Sequence, residues 1–553
     1  MTRKLRVALA QFNPLMGDIN GNFERLCALY ERAKGQEADV LLTPEMALTG
    51  YPCDDLVLRA DFMEKIAQAV SELARLTADG GPAILLGAPH QDGQTLTNSV
   101  FVLDEGAIQT RRDKVQLPNY GVFDEKRHFT AGAPAGPVQL RGVRIGLAIC
   151  EDIWSSEVAE TLAESGAEMI LSLNASPFDI TKSDSRLAHA AARRAETDLP
   201  VFYVNMVGGQ DELVFDGGSF VLDGQGKLVA QMPLFSEGLG LVSCVETAGQ
   251  WQITGQISKP AEGEAALYGA LMLGMRDYVE KNGFLGVVLG LSGGVDSALV
   301  AMLAVDALGP ERVKLVMMPS RYTADISKTD ADKLAENLGV ELDTITIAPA
   351  MAVMDELLAP HFDGRAADIT EENIQSRLRG LLLMGLSNKL GHMVLATGNK
   401  SEYAVGYATL YGDMCGGYAP LKDVWKLQVF ALCNWRNGAM PRGGLGPEGA
   451  PIPSRIITRP PSAELRDDQE DTDSLPAYEM LDPILQALTE EMVDCKTIIE
   501  RGFDSADVMR ASALLFRAEY KRFQAAPGPK VSVRAFGRDR RLPLTSHYRP
   551  DGS

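Results

Sequence analysis

The sequence predicts an α/β protein built from two tandem halves, on three observations. The chain has 553 residues, whereas one hydrophobic core rarely grows past ~250–300 residues. Short apolar runs alternate with helix-like segments along both halves. Finally, an apolar run from Gly286 to Leu291 stops abruptly at Ser292-Gly293-Gly294-Val295-Asp296-Ser297, and a helical pattern follows over Ala298–Leu308. That succession reads as a buried parallel strand, a glycine loop and a helix.

In order, the first half offers strands at Arg6–Gln11, Val40–Thr43, Ala83–Ala88, Ser99–Leu103, Ile145–Ile149, Met169–Leu173, Val201–Asn205 and Ser219–Leu222. Helical patterns fall at Phe23–Lys34, Asp61–Thr77, Trp154–Ser165 and Ser183–Thr197. Residues 247–262 read as a connection between a domain over 1–246 and a second over 263–553. The second half opens with a helix at Gly263–Lys281, and Val313–Met318, Leu342–Ile347 and Met393–Ala396 are further strands. Between them lie helices at Ile326–Leu338 and Asn373–Leu390. Pro441 to Pro476, rich in Pro, Gly and charge, reads as a mobile surface loop.

Hydrophobic residues make up 46%, enough for sizeable cores, and the formal net charge is −21. This acidity argues against nonspecific binding to nucleic acid or anionic membranes, while leaving room for a local phosphate pocket. The seven cysteines, Cys27, Cys53, Cys150, Cys244, Cys415, Cys433 and Cys495, show no metal-binding spacing. Free thiols in a reducing cytoplasm are expected. The N-terminus lacks a signal-length apolar core, and no run is long enough to span a bilayer.

The loop from Gly290 to Ser297 carries the clearest chemistry. Backbone N–H groups at a helix N-terminus bind phosphate. Gly293 and Gly294 allow close approach, Ser292 and Ser297 add hydroxyl donors, and Asp296 can hold a cation. The Gly-Lys-Ser/Thr of the Walker pattern is missing. The segment resembles the pyrophosphate loop of the ATP pyrophosphatases, which split ATP into AMP and pyrophosphate. The resemblance implies that Gly290, Leu291, Ser292, Gly293, Gly294, Val295, Asp296 and Ser297 bind ATP.

In the first half, Thr43-Pro44-Glu45-Met46, Arg112-Asp113-Lys114 and Ile149-Cys150-Glu151-Asp152 each end a strand or follow one. Singly, a cysteine after a strand is more often packing, and a lone Glu or Lys a surface residue. Brought together they suit acyl transfer, with Glu45 as base, Lys114 stabilising an oxyanion and Cys150 as nucleophile. With their flanks they resemble the nitrilase (carbon–nitrogen hydrolase) superfamily over about residues 5–245. That resemblance implies a Glu45–Lys114–Cys150 triad with Glu125 as an additional glutamate. It also implies glutamine contacts from Tyr120 and the Asn174–Phe178 loop, with Ser176 and Lys182 as candidates. Lys182 is equally readable as an exposed residue.

A nitrilase-like half ahead of a pyrophosphate-loop half resembles the glutamine-dependent NAD synthetase family. The implied fold is a nitrilase-like α-β-β-α sandwich followed by a Rossmann-like parallel α/β ATP-pyrophosphatase domain. The implied reaction converts deamido-NAD, ATP and glutamine into NAD, AMP, pyrophosphate and glutamate, with magnesium. Thr397 is then expected at ATP, and Asn373, Glu402 and Lys521 at deamido-NAD, although Asn373 is also readable as a helix cap. Asp296 and Glu402 would hold the metal. Arg321 is a weaker phosphate candidate, Lys422 is readable as a nucleotide partner or as a solvated residue, and Arg459-Pro460-Pro461-Ser462-Ala463-Glu464-Leu465 resembles a closing loop of the family. The family also implies a homo-oligomer. The alternatives are another glutamine-dependent ATP-pyrophosphatase amidotransferase, or a chain with one half acting only as a regulatory module.

Overall fold

In the computed structural model, residues 3–466, 469, 471–473 and 475–548 are described. Two compact units divide them, one formed by the chain through Gln210 with Val214–Ala261, the other by Asp211–Leu213 with the chain from Glu262.

The first unit is a sandwich of two sheets. One has seven strands in the order Gln250–Thr254, Gly238–Thr247, Lys4–Gln11, Val40–Leu42, Ala83–Asp92, Thr95–Asp104 and Ala107–Asp113. The other has six, in the order Leu228–Gln231, Phe220–Leu222, Val201–Asn205, Met169–Asn174, Val143–Ile149 and Val138–Leu140. Alternate side chains of each sheet fill a shared core: Leu5, Val7 and Leu9 from one, Ile145, Leu147 and Ile149 with Met169, Leu171 and Leu173 from the other. The opposite faces are covered by helices. Helix Ala60–Leu76 buries Phe62, Ile66, Val70 and Leu73 at helical spacing. Helix Ser156–Glu164 places Val158 and Leu162 against Ala148 and Ile170. With sheets between helices, the central strands are buried on both faces, which is why they read as continuous apolar runs.

The strands absent from the sequence expectation are Ala107–Asp113, Val138–Leu140, Val207–Gln210, Leu213–Asp216, Leu228–Gln231, Gly238–Thr247 and Gln250–Thr254. Ala107–Asp113 is exposed or half-buried throughout, so no apolar run marks it. Gln250–Thr254, inside the stretch read as a connection, pairs antiparallel with Gly238–Thr247.

The second unit is built on a four-stranded sheet in the order Leu342–Thr344, Val313–Met317, Gly286–Gly290, His392–Val394, with every pairing parallel. Helix Val295–Leu308 is almost wholly buried beside it. The strand order reverses direction between Gly286–Gly290 and His392–Val394, and the chain leaves both strands at the same sheet edge, the usual ligand position in an open parallel sheet. A second cluster joins helices Tyr478–Thr489, Cys495–Glu500 and Ser505–Arg517 through Leu481, Ile484, Ile498 and Leu515. The 441–476 segment departs from the loop expected there. It contains a short helix, Ser454–Thr458, it buries Ile452 and Ile456, and the Asn437 side chain bridges the backbone N–H and carbonyl of Ile452. Residues 467, 468, 470 and 474 of it lie outside the described residues.

Candidate active sites

In the first unit, Glu45, Lys114 and Cys150 come from three different strand ends and are all buried. The Lys114 ammonium donates to Glu45 Oε1 and to Glu125 Oε1, both at 2.7 Å. Glu45 Oε1 also accepts from Asn98 Nδ2 at 2.6 Å, and its Oε2 from the Ala175 N–H at 2.9 Å. Glu125 Oε1 further accepts from the Tyr51 hydroxyl at 2.9 Å. Burial alone would lower the Lys114 pKa, but Glu125 and Glu45 raise it well above the ordinary value, so the ammonium stays charged. Burial, then Glu45, push the Cys150 thiol well up, while Lys114 draws it down. Burial and Glu45 thus favour the neutral thiol, and the Lys114 charge favours the thiolate.

Cys150 follows strand Val143–Ile149 with φ +47°, a left-handed conformation that costs a β-carbon residue about 1–2 kcal/mol. Such a turn lifts a side chain out of the sheet, as strained backbone at reacting positions often does. Asp152 holds it there by accepting from the N–H groups of Ile149, Val115 and Gln116 at 3.0, 3.0 and 2.8 Å. One carboxylate thus locks the lysine-bearing loop to the cysteine-bearing turn. Burial pushes its pKa up to about 6 against those amide bonds.

The expected glutamine contacts are placed less uniformly. Tyr120 is 51% exposed and its hydroxyl lies 3.0 and 3.1 Å from the Glu151 carboxylate oxygens. Ser176 is buried, with its hydroxyl accepting from Arg186 Nε at 3.1 Å. Arg186 Nη1 in turn donates to both carboxylate oxygens of Asp216, at 2.7 and 2.8 Å. The Lys182 ammonium sits 4.6 Å over the Trp154 ring, and its charge reaches Glu151.

In the second unit, a cavity of about 400 Å³ is lined by the whole Gly290–Ser297 loop, Thr397, Asn373, Glu402 and Lys521. Gly293 has φ +84°, and a Cβ there would fall 2.4 Å from the Ser327 carbonyl oxygen, so only glycine fits. Ser292 and Ser297 share a hydrogen bond of 3.0 Å between their hydroxyls. Asn373 accepts from the Thr409 hydroxyl at 2.8 Å. The Lys521 ammonium donates to the carbonyls of Gly406 and Ala408, both at 2.8 Å.

Asp296 and Glu402 share one ion-pair partner, Lys426. Its ammonium lies 2.5 Å from Asp296 Oδ2 and 3.4 Å from Glu402 Oε1. Burial pushes the Glu402 carboxyl up; Lys426 opposes this, Asp296 and Asp471 add to it, and the result is about 8. Lys426 lies in no motif that marks it in the sequence, unlike Lys422 four residues earlier. Lys422 pairs instead with Glu212 at 3.1 Å, and the Arg321 guanidinium stacks on the Tyr322 ring at 4.7 Å; neither lines the cavity. Arg459, Ser462 and Glu464 of the expected closing loop do line it. Asn98 and Tyr51 also escape the sequence reading, since neither lies in a recognisable motif, and Asp152 reads there only as a flank of Cys150. Among the described residues no group of three or more His, Cys, Asp or Glu side chains could hold a metal.

Comparison with known proteins assigns each unit. The carbon–nitrogen hydrolase family model matches residues 6–253, and the NAD synthase model matches 267–525. The class is therefore a carbon–nitrogen hydrolase joined on one chain to an NAD synthase. A glutamine-dependent NAD(+) synthetase from Rhodobacter capsulatus is 47% identical, covering 99% of this chain and 100% of its own. Another, from Xanthomonas campestris, is 46% identical over 98% of each. The solved Acinetobacter baumannii enzyme, in complex with ADP, superposes with a TM-score of 0.79 at 41% identity, covering 98% of each chain. The chain belongs to the glutamine-dependent NAD(+) synthetases. It is a ligase that makes NAD with glutamine as the nitrogen donor, and ATP as its substrate is consistent with that family. Among the described residues no helix is long and apolar enough to cross a membrane.

Proposed function

We propose that the two units run two half-reactions joined by ammonia. In the first, Glu45 takes the Cys150 thiol proton as Sγ attacks the side-chain amide carbon of glutamine. The tetrahedral oxyanion forms against the Lys114 ammonium. Glu45 returns the proton to the departing ammonia, leaving a γ-glutamyl thioester on Cys150, and water activated by Glu45 releases glutamate. Glu125 and Tyr51 hold Lys114 in place, and Asp152 fixes its distance from the cysteine turn. The single observation that carries this reading is Lys114, 2.7 Å from both Glu45 and Glu125, in the pocket whose charges act on the Cys150 thiol. Tyr120, Ser176 and Lys182 are assigned to glutamine, with Ser176 acting through the backbone loop it anchors.

In the second unit, ATP lies on Gly290–Ser297 and Thr397, and deamido-NAD is bound by Asn373, Glu402 and Lys521. The substrate carboxylate attacks the α-phosphorus to give an adenylate and pyrophosphate, and ammonia displaces AMP. The donor set of Asp296 and Glu402 suits magnesium, a hard cation that takes one or two carboxylates together with phosphate oxygens. A bound magnesium ion would neutralise phosphate charge there.

We place the protein in the cytoplasm as a homo-oligomer. Helix Ala348–Leu358 buries none of its residues, and Val353 and Leu357, one turn apart on it, are more than half exposed, apolar side chains that a second copy would cover. Sedimentation of wild type against Leu357→Asp tests this; equal masses would refute that face as the interface. The glutaminase assignment is tested by acid-quenching the enzyme with glutamine and mapping thioester adducts by mass spectrometry. The adduct is expected on Cys150, and an adduct on any other cysteine overturns it.

A further inference from the structure

We infer that Arg379 is a further catalytic residue of the synthetase unit, its guanidinium gripping the phosphate tail of ATP and stabilising the pyrophosphate that leaves. The inference rests on the adenylation reading above and adds a residue to it.

Arg379 lies on helix Ile369–Leu390 and lines the cavity on the same face as Asn373, Ser376 and Leu383. Its Nε donates to the Met318 carbonyl at 3.0 Å, just beyond strand Val313–Met317. That bond fixes the plane of the guanidinium. Among the described residues no hydrogen bond engages its two terminal nitrogens. A guanidinium offers its donors in a rigid fork suited to phosphate, and a cation held in a cavity wall with that fork unused is costly until an anion arrives.

Its place points to the phosphates. Met318, which anchors it, and Leu383, one helical turn beyond it, both pack on Gly290: a Cβ at Gly290 would stand 3.2 Å from Met318 Cε and 3.7 Å from Leu383 Cδ1. Arg379 is therefore at the root of the phosphate loop. From the other side of that loop, Gly293 abuts Ser327, and the Ser327 hydroxyl donates to Glu464 Oε1 at 2.6 Å. Burial lowers the Arg379 pKa, and the charges of Glu464 and Asp413 oppose this without a hydrogen bond to it. Two carboxylates thus offset part of its burial, but neither one takes up the terminal nitrogens.

In adenylation, a carboxylate oxygen of deamido-NAD forms the new bond to the α-phosphorus. The bond from that phosphorus to the α–β bridging oxygen breaks, and its electron pair leaves on pyrophosphate. Charge grows on that oxygen only as the bond breaks, so donors aimed there bind the transition state better than ATP. Arg379 transfers no proton.

The test uses the full chain with ammonium as nitrogen source, so the glutaminase half is not needed. Wild type, Arg379→Lys and Arg379→Gln are compared for kcat/KM of ATP and for inhibition by inorganic pyrophosphate and by AMP. Arg379→Gln is expected to lose about 100-fold or more in kcat/KM and at least about tenfold in pyrophosphate inhibition, with AMP inhibition unchanged. Lysine should restore part of this, since it keeps the charge without the fork, and it carries the comparison if the glutamine variant does not fold. Equal weakening of pyrophosphate and AMP inhibition, or a kcat/KM within about threefold of wild type, overturns the assignment. Exchange of labelled pyrophosphate into ATP separates the two ideas. No exchange by wild type with deamido-NAD sinks the adenylate itself, whereas full exchange by Arg379→Gln sinks only the arginine.

Discussion

Replacing Glu125 by Gln removes a carboxyl of the Lys114 cluster whose proton affinity lies near neutrality. Burial pushes the Glu125 carboxyl up, Lys114 pulls it back, Glu45 pushes it again, and it settles at about 7 against an ordinary 4.5. The folded protein holds this proton more tightly than the unfolded chain. Its contribution to stability is therefore complete below about pH 4.5 and is lost as pH rises through about 7. At ~1.4 kcal/mol per pH unit, the gap amounts to ~3 kcal/mol. The glutamine variant keeps an acceptor for Lys114 but cannot titrate. Hydrogen exchange of the core strands Val143–Ile149 and Met169–Asn174, corrected for intrinsic rates, reads this unit alone. Between pH 4.5 and 8, wild-type protection should fall by roughly 100-fold relative to the variant. Equal pH dependence in the two proteins would refute the electrostatic account of the pocket.

Gly293→Ala places a methyl 2.4 Å from the Ser327 carbonyl oxygen at φ +84°. NAD formation from ammonium should fall by about 100-fold or more, the scale expected from losing one preorganised donor, with exchange protection of Val143–Ile149 unchanged. Near-normal synthesis would show that the loop does not carry the phosphates. Lys426→Met removes the ammonium 2.5 Å from Asp296. It should tighten Mn²⁺ binding at pH 8.5, read by calorimetry, while NAD synthesis fails; unchanged affinity would mean that ammonium and metal do not share those carboxylates. Glutamine hydrolysis should accelerate when deamido-NAD and ATP are added, because uncoupled hydrolysis wastes glutamine. Equal rates would dismiss coupling.

The sequence marked the central strands well, because strands buried on both faces, such as Met169–Asn174, appear as unbroken apolar runs. Edge strands were silent for the opposite reason: Ala107–Asp113, with half-buried arginines, has neither an apolar run nor clean alternation. Glu45, Lys114, Cys150 and the Gly290–Ser297 loop stood out because their chemistry is local to short motifs. Asn98, Tyr51 and Lys426 did not, since their meaning is three-dimensional. Lys426 is one more lysine on a helix until the fold pairs it with Asp296 and Glu402. The 441–476 segment misled because composition reports loop chemistry but not that Ile452 and Ile456 are buried.

The two-reaction account is tested most directly by NAD formation from deamido-NAD, ATP and magnesium in wild type and Cys150→Ala, each given glutamine or ammonium. The account predicts that the variant makes NAD from ammonium at a rate close to wild type and makes none from glutamine. Synthesis from glutamine by Cys150→Ala, or failure of both proteins with ammonium, would contradict it.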